Sequence, residues 1–287
     1  MKIVKQIIIH LLYHLNLYKT IQWIRNFRNG HTVTILVYHS FTDKKNSHTS
    51  LHVDTFAKQL VYLKENFRVR RLGDVIKKIK NKEALEKNTL CITIDDGYLD
   101  NYKFAYPALK KMSLDATIFI ASGYVGRNTR DLIDDEHTAD NEPDPHTAYS
   151  NQDIYRLPPL KKQMMTWEQI KEISNDIIEI GSHTVNHPIL SKVPIDEARA
   201  EIIQSKQEIE DALNKPVDLF AYPNGLRSDY NAAICDLVED AGYDAAVTVD
   251  WALNNAAPDL YRLRRIPISE MRLPQFAAKI NRIVSDP

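Results

Sequence analysis

Apolar positions along the chain follow two alternating rhythms. Short runs rich in β-branched and aromatic residues predict strands over 33–38, 90–95, 116–121, 177–181, 217–222, 245–249 and 263–268, with a weaker one at 69–72. Between them, apolar residues recur at three- and four-residue spacing over 54–66, 73–80, 101–112, 167–174, 194–213, 229–241 and 273–284, which predicts helices. Seven or eight β/α repeats in this order predict an α/β fold with a parallel barrel. Residues 123–165 break the rhythm with little periodicity, four prolines and the acids Asp131, Asp134, Asp135, Glu136, Asp140, Glu142 and Asp144. A loop of this length is either a lid over a groove or a solvated insertion. His137 and His146 within it read as solvated side chains.

The first residues form a unit of their own. Ile3, Val4, Ile7, Ile8, Leu11, Leu12 and Leu15 recur at helical spacing, with Lys2, Lys5, Gln6, His10 and His14 on the other side, which predicts an N-terminal amphipathic helix. His10 and His14 interrupt the apolar run and Tyr18-Lys19-Thr20 offers no small-residue cleavage site, so no signal peptide is recognised. The run is also too short and too polar to span a bilayer. Two placements stay open. Residues 1–28 could lie on the inner membrane surface, helped by Lys2, Lys5, Lys19, Arg25 and Arg28, or the helix could pack on its own barrel. The expected organisation is a helical segment over 1–31 and one barrel domain over 32–287, with an insertion at about 123–165. The expected location is the cytoplasm or the inner membrane face.

Composition narrows the classes. The 287 residues are 44% hydrophobic and 26% charged, enough to bury a large core. A formal net charge of −1 leaves no basic stripe to track phosphates, so nucleic acid is not an expected partner. Cys91 and Cys235 lie in strand-like and helix-like runs without metal-type neighbours and read as buried free thiols, in keeping with a reducing compartment.

Two stretches carry the chemistry. Ile94-Asp95-Asp96-Gly97 closes an alternating apolar run, and Ser182-His183-Thr184-Val185-Asn186-His187-Pro188 follows another strand end. Together they offer two imidazoles and two carboxylates, the donor types of a zinc-type site that keeps a position open for water. His183 and His187 are four apart, so a single turn sets both rings on one side, and Pro188 makes that turn a tight one at a strand end rather than the middle of a helix. Asp95 and Asp96 can serve one site only if the strand ends between them, with Gly97 freeing the backbone. Adjacent like charges require a cation to neutralise one of them, which assigns Asp96 to a metal and Asp95 to proton transfer. His39, Asp95, Asp96, His183, 223–225 and Asp250 all fall at or just beyond predicted strand C-termini, the rim where barrel sites are built.

These stretches resemble the first two signature motifs of the polysaccharide deacetylase family, also called the NodB homology domain: Thr93-Ile94-Asp95-Asp96-Gly97 with Tyr98 and Asp100, then His183-Thr184-Val185-Asn186-His187-Pro188. Phe220-Ala221-Tyr222-Pro223-Asn224-Gly225 is similar to the third. The resemblance covers roughly 32–269. It implies a distorted (β/α) barrel with about seven parallel strands and an enzyme that removes acetyl groups from amide nitrogens of N-acetylglucosamine-type sugars. It also implies a divalent metal, zinc first, with cobalt, nickel or manganese as substitutes, held by Asp96, His183 and His187. Asp95 is then the general base acting on water at the metal, and the Asn224 backbone N–H, after Pro223, donates to the oxyanion.

The chain departs from the common pattern in two places. The late stretch Leu263-Arg264-Arg265-Ile266-Pro267-Ile268-Ser269 lacks the His that often protonates the departing amine. Val37-Tyr38-His39-Ser40 resembles the early element of the branch that deacetylates poly-N-acetylglucosamine exopolysaccharides, which implies His39 as the acid. The Arg that often opens the third motif is also missing, and Arg264 or Arg265 could substitute. Asp250-Trp251 resembles the fourth motif, whose aromatic lines the acetyl pocket; Trp251 and Tyr222 read either as such faces or as core. The expected partner is a glycan or glycan precursor. Two other readings are the same machinery on a different acyl or amide substrate, and a non-catalytic glycan-binding protein that retains the fold.

Overall fold

The computed structural model of the protein describes residues 2–15, 17–22, 32–45, 47, 50–127, 162–255 and 257–281. Its strands in chain order are β1 (Thr34–Tyr38), β2 (Phe41–Thr42), β3 (Leu51–His52), β4 (Arg68–Val69), β5 (Thr89–Ile94), β6 (Ala116–Ile120), β7 (Ile178–Ser182), β8 (Leu219–Ala221), β9 (Ala245–Val247) and β10 (Ile266–Pro267). Eight of them form one parallel sheet, seven in the order β10-β1-β5-β6-β7-β8-β9, curled into a half-barrel, with β4 added beside β5. Its distortion is visible at β5. One edge of that strand runs along β1 from Leu90 to Ile94, while the other is shared between β4 at Thr89 and Leu90 and β6 at Thr93 and Ile94. The two ends of the sheet meet without a continuous ladder: Leu263 bridges to Val247 and exchanges hydrogen bonds with Ala246 and Thr248, and Val33 bridges to Asn254. The pair β2–β3 stands apart and was not foreseen from the pattern.

Alternation along the strands sorts the core into two layers. Leu36, Leu90, Ile92, Ile118 and Ile120 turn outward to the helices, while Ile35, Cys91, Phe119, Leu219, Ala221 and Val247 turn into the curl with Leu72, Val75 and Ile76. The helices are α1 (Lys2–His14), α2 (Val53–Asn66), α3 (Leu72–Lys80), α4 (Tyr106–Met112), α5 (Trp167–Ser174), α6 (Ile195–Leu213), α7 (Ala232–Asp240) and α8 (Leu273–Ile280). Parallel strands covered by helices explain why the strand runs are almost continuously apolar.

Several boundaries differ from the pattern for identifiable reasons. The single helix expected over 101–112 is split into a π-helical stretch, Asn101–Ala105, and α4. Pro107 has no N–H and its ring displaces the carbonyl one turn back, and the Tyr106 N–H reaches five residues back to the Asn101 carbonyl. α7 starts at Ala232 rather than near residue 229, because the Asn231 side chain caps it by accepting from the Ile234 N–H. β8, β9 and β10 are shorter than expected, and residues 282–284 of the last predicted helix lie outside the described residues.

At the N-terminus, α1 packs along α8 through Ile9, Leu12 and Tyr13, the last of which stacks on Tyr62. Tyr18 donates to the Ile9 carbonyl, and Gln22 donates to Asn281 at 2.9 Å, which ties the following residues to the same place. Cys91 and Cys235 are buried free thiols.

Candidate active site

β5 delivers two carboxylates to one place by ending between them. Cys91 lies on the inward face of the strand, Thr93 and Asp95 follow at the same parity, and Asp95 is 2% exposed. A regular strand would send Asp96 to the opposite face. Instead Asp96 and Gly97 take φ of +75° and +78°, and the chain swings Asp96 back toward the same rim. The sequence reading placed the left-handed freedom in Gly97 alone; Asp96 shares it, a conformation Asp tolerates better than most residues.

After β7, residues 183–188 form the expected tight turn, with Thr184 at φ +66° and His187 at φ +57°. The Thr184 hydroxyl locks it, accepting from the His187 N–H at 2.9 Å and donating to the His183 carbonyl at 2.6 Å. Glu201 of α6 braces it from behind. Its buried carboxylate accepts from the N–H groups of Val185 and Asn186 at 2.8 Å each and from the Asn186 side-chain amide at 2.7 Å. Sequence reasoning missed Glu201, because a glutamate in the middle of a helix carries no local sign that its partners are main-chain donors.

The two strand ends bring Asp96, His183 and His187 together. One donor atom from each lies within 4.8 Å of the others, and all three residues are buried. His183 Nε2 and His187 Nε2 stand 3.1 Å apart and lie 3.6 and 3.5 Å from Asp96 Oδ1. His183 Nδ1 faces the Ala221 carbonyl at 2.7 Å, which places its proton there and turns an Nε2 lone pair to the centre. Burial and the neighbouring His183 push His187 down to about 4, so its ring is neutral at physiological pH. Two facing imidazole nitrogens beside a carboxylate oxygen fit a divalent cation of the zinc type, and the set leaves coordination positions for other ligands. Among the described residues no other group of His, Cys, Asp and Glu converges in this way.

Asp95 has a different partner. Arg265, itself fully buried, grips both its oxygens at 2.6 Å and also donates to Thr93 Oγ1 and the Thr248 carbonyl. Burial alone would raise the Asp95 carboxyl, but the Arg265 charge, with His183, outweighs it and holds the group at about 2. Of the two arginines left open by the sequence, Arg265 is therefore the one that orients Asp95. Its guanidinium lies 5.7 Å from the centre of the Phe119 ring, and Phe119 occupies space that Gly181 leaves free, since a Cβ there would fall 2.5 Å from the ring.

The remaining predicted residues take different places. His39 follows β1, is about half exposed, and its Nε2 stands 4.0 Å from Asp95 Oδ2. Pro223 is buried and Asn224 exposed just past β8, with Asn224 at φ +55°; among the described residues its N–H meets no acceptor. The Tyr222 ring turns the other way, into the core, where it stacks on Tyr230 at 4.7 Å and donates to the Tyr261 carbonyl, so only its backbone reaches the rim. Trp251 is half-buried against the main core. Most of the 123–165 segment, with His137 and His146, lies outside the described residues. Where the segment returns, Lys162 sits on the Tyr98 ring and meets Ser40 and Asp100, beside the β1 and β5 ends.

Comparison with known proteins agrees with this geometry. The family model for polysaccharide deacetylase matches residues 82–246. YxkH of Bacillus subtilis (strain 168), named for the same family, is 26% identical over 253 residues, covering 87% of this chain and 76% of YxkH. The deacetylase PplD of Streptococcus pyogenes, solved in complex with acetate, is similar at 25% identity and a TM-score of 0.68, covering 87% of this chain and 98% of PplD. IcaB of Ammonifex degensii shares the fold at 21% identity and a TM-score of 0.68, with 88% and 98% covered.

Proposed function

Because the chain belongs to the polysaccharide deacetylase family, we propose that it is a metal-dependent hydrolase that removes N-acetyl groups from N-acetylglucosamine-type sugars of a polysaccharide or glycan precursor. The observation that carries this reading is the convergence of Asp96, His183 and His187 beside an Asp95 clamped by Arg265. A divalent cation held by those three residues supplies Lewis acidity to water and to the acetamide carbonyl. Zinc suits the two nitrogen donors and one oxygen donor.

The chain's own groups do the rest. Asp95 stays ionised at neutral pH and takes a proton from the attacking water, with Arg265 fixing its plane. The Asn224 N–H donates to the oxygen on which negative charge develops. His39, across from Asp95 and open to solvent, gives a proton to the departing amine as the carbon–nitrogen bond breaks. Water adds across the amide, so the products are acetate and a free amino sugar. Trp251 offers a flat face to the acetyl methyl or the sugar ring. The missing late histidine and third-motif arginine are what a non-catalytic glycan-binding role would explain; Arg265 on Asp95 stands in for the second, and His39, 4.0 Å from Asp95, is the group this reading assigns to the first.

The test is metal content followed by acetate release. Chelator-free full-length protein is expected to hold about one equivalent of zinc or a similar ion, to lose it as His187→Ala, and to release acetate from N-acetylglucosamine oligomers. Absence of metal in the wild type after zinc is supplied, or metal without acetate release from any N-acetylated glycan tried, overturns the reading.

A further inference from the structure

We propose that the outward face of α1 docks on an anionic lipid surface. The helix is apolar on two opposite sides. Ile9, Leu12 and Tyr13 turn to the barrel, whereas Ile7, Ile8, Leu11 and Leu15 turn away from it with exposures of 54%, 48%, 54% and 63%. At 3.6 residues per turn these four form one stripe, and exposed Leu17 stands just beyond it. A contiguous apolar stripe on the surface marks a place of attachment.

Charge names the occupant. Residues 1–42 contain Lys2, Lys5, Lys19, Arg25 and Arg28 and no acid, a formal +5 within a chain whose net charge is −1. Lys5 is exposed on the flank of α1, and Lys19 is exposed in the residues that follow it. Two copies meeting through this face would set these positive charges against each other, while anionic headgroups complement them. Thirteen residues span about 20 Å, short of the roughly 30 Å hydrocarbon core of a bilayer. Among the described residues no helix is long and apolar enough to cross a membrane. A helix of this kind lies in the plane of the interface, with its stripe in the acyl boundary and its lysines at the headgroups. The contact would tether the barrel through α8 and is independent of the chemistry at the metal-type site.

The full chain is sedimented with vesicles containing phosphatidylglycerol and with vesicles of phosphatidylcholine alone, and by itself in sedimentation velocity. The wild type is expected to bind the anionic vesicles and to release as salt rises. Ile8→Ser/Leu11→Ser is expected to bind at least about tenfold more weakly with an unchanged melting curve, and Lys5→Ala/Lys19→Ala to lose the preference for anionic lipid. Wild type that stays in the supernatant with anionic vesicles, or a double serine variant that binds as well as wild type, overturns the proposal. So does a dimer without lipid that Ile8→Ser/Leu11→Ser dissociates, which would give the face to a second copy.

Discussion

Asp95 can be both buried and ionised only because Arg265 meets it with two short hydrogen bonds. Removing one charge strands the other, so Asp95→Asn is expected to lower turnover by about 10²–10⁴-fold and to destabilise the fold by about 3 kcal/mol. Metal content should stay near wild type, because Asp95 is not one of the three converging donors. Denaturant melts and metal analysis of the same preparation separate these outcomes, and adding Arg265→Met to the Asp95→Asn variant should recover much of the lost stability. The sign of the pH effect follows from the depressed carboxyl. The stability contributed by the pair is complete above the ordinary value of 3.8 and is lost as pH falls toward about 2. His187 sets a second window. In metal-free protein its folded value of about 4 lies below the ordinary 6.5, because burial and His183 disfavour its charged form. The unfolded chain therefore binds the proton first, and stability should decline from about pH 6.5 toward pH 4. His187→Gln should flatten that decline in thermal melts of chelated protein.

At the scale of elements, the site depends on two strand ends being held in unusual turns. The turn over 183–188 has Thr184 inside it and Glu201 behind it, and the carboxylate of Glu201 serves three donors at once. Glu201→Ala should weaken metal binding about ten- to hundred-fold, the range for groups that orient ligands without touching the ion, and Glu201→Gln should recover part of it. Competition with a zinc indicator measures both. Gly181→Ala should cost about 1–3 kcal/mol by pressing Phe119 toward Arg265, and the same melts would detect it. The sequence made the motif residues and the strand parity readable, because Asp-Asp-Gly at a strand end and two histidines four apart before Pro188 are local signals. Arg265 was only one of two candidates, since it lies 170 positions from Asp95 and immediately precedes β10, two residues after the isolated bridge from Leu263 to β9. Glu201 was silent for a similar reason: its partners are backbone groups in another element. The break between Asn101–Ala105 and α4 did have a local sign, since Pro107 falls in the interior of the helix expected over 101–112, where it removes a hydrogen bond; that the upstream half turns π-helical has no such sign.

On the scale of the whole molecule, the three donors reach across the rim of the sheet from two strand ends that are not direct neighbours. Asp96 follows β5 and the histidines follow β7, with β6 between them. Among the described residues the half-barrel closes on its far side through isolated bridges, Leu263 to Val247 and Val33 to Asn254, rather than a continuous ladder, and a cross-link over the rim between β5 and β7 acts on the same curl. A cation that binds this rim and not the unfolded chain stabilises the fold by about 4 kcal/mol when its free concentration is about a thousand times its dissociation constant. For a domain of this size that corresponds to about 7 °C in melting temperature. Calorimetry with and without chelator should show a fall of that order for the wild type. In His187→Ala the chelator should have little effect, because the variant lacks one of the three donors. If the chelator leaves the wild-type transition where it was, metal binding contributes little to holding β5 and β7 together. In that event the rim would have to be shaped by the protein contacts alone, with Thr184 and Glu201 on one side and the Asp96–Gly97 turn on the other.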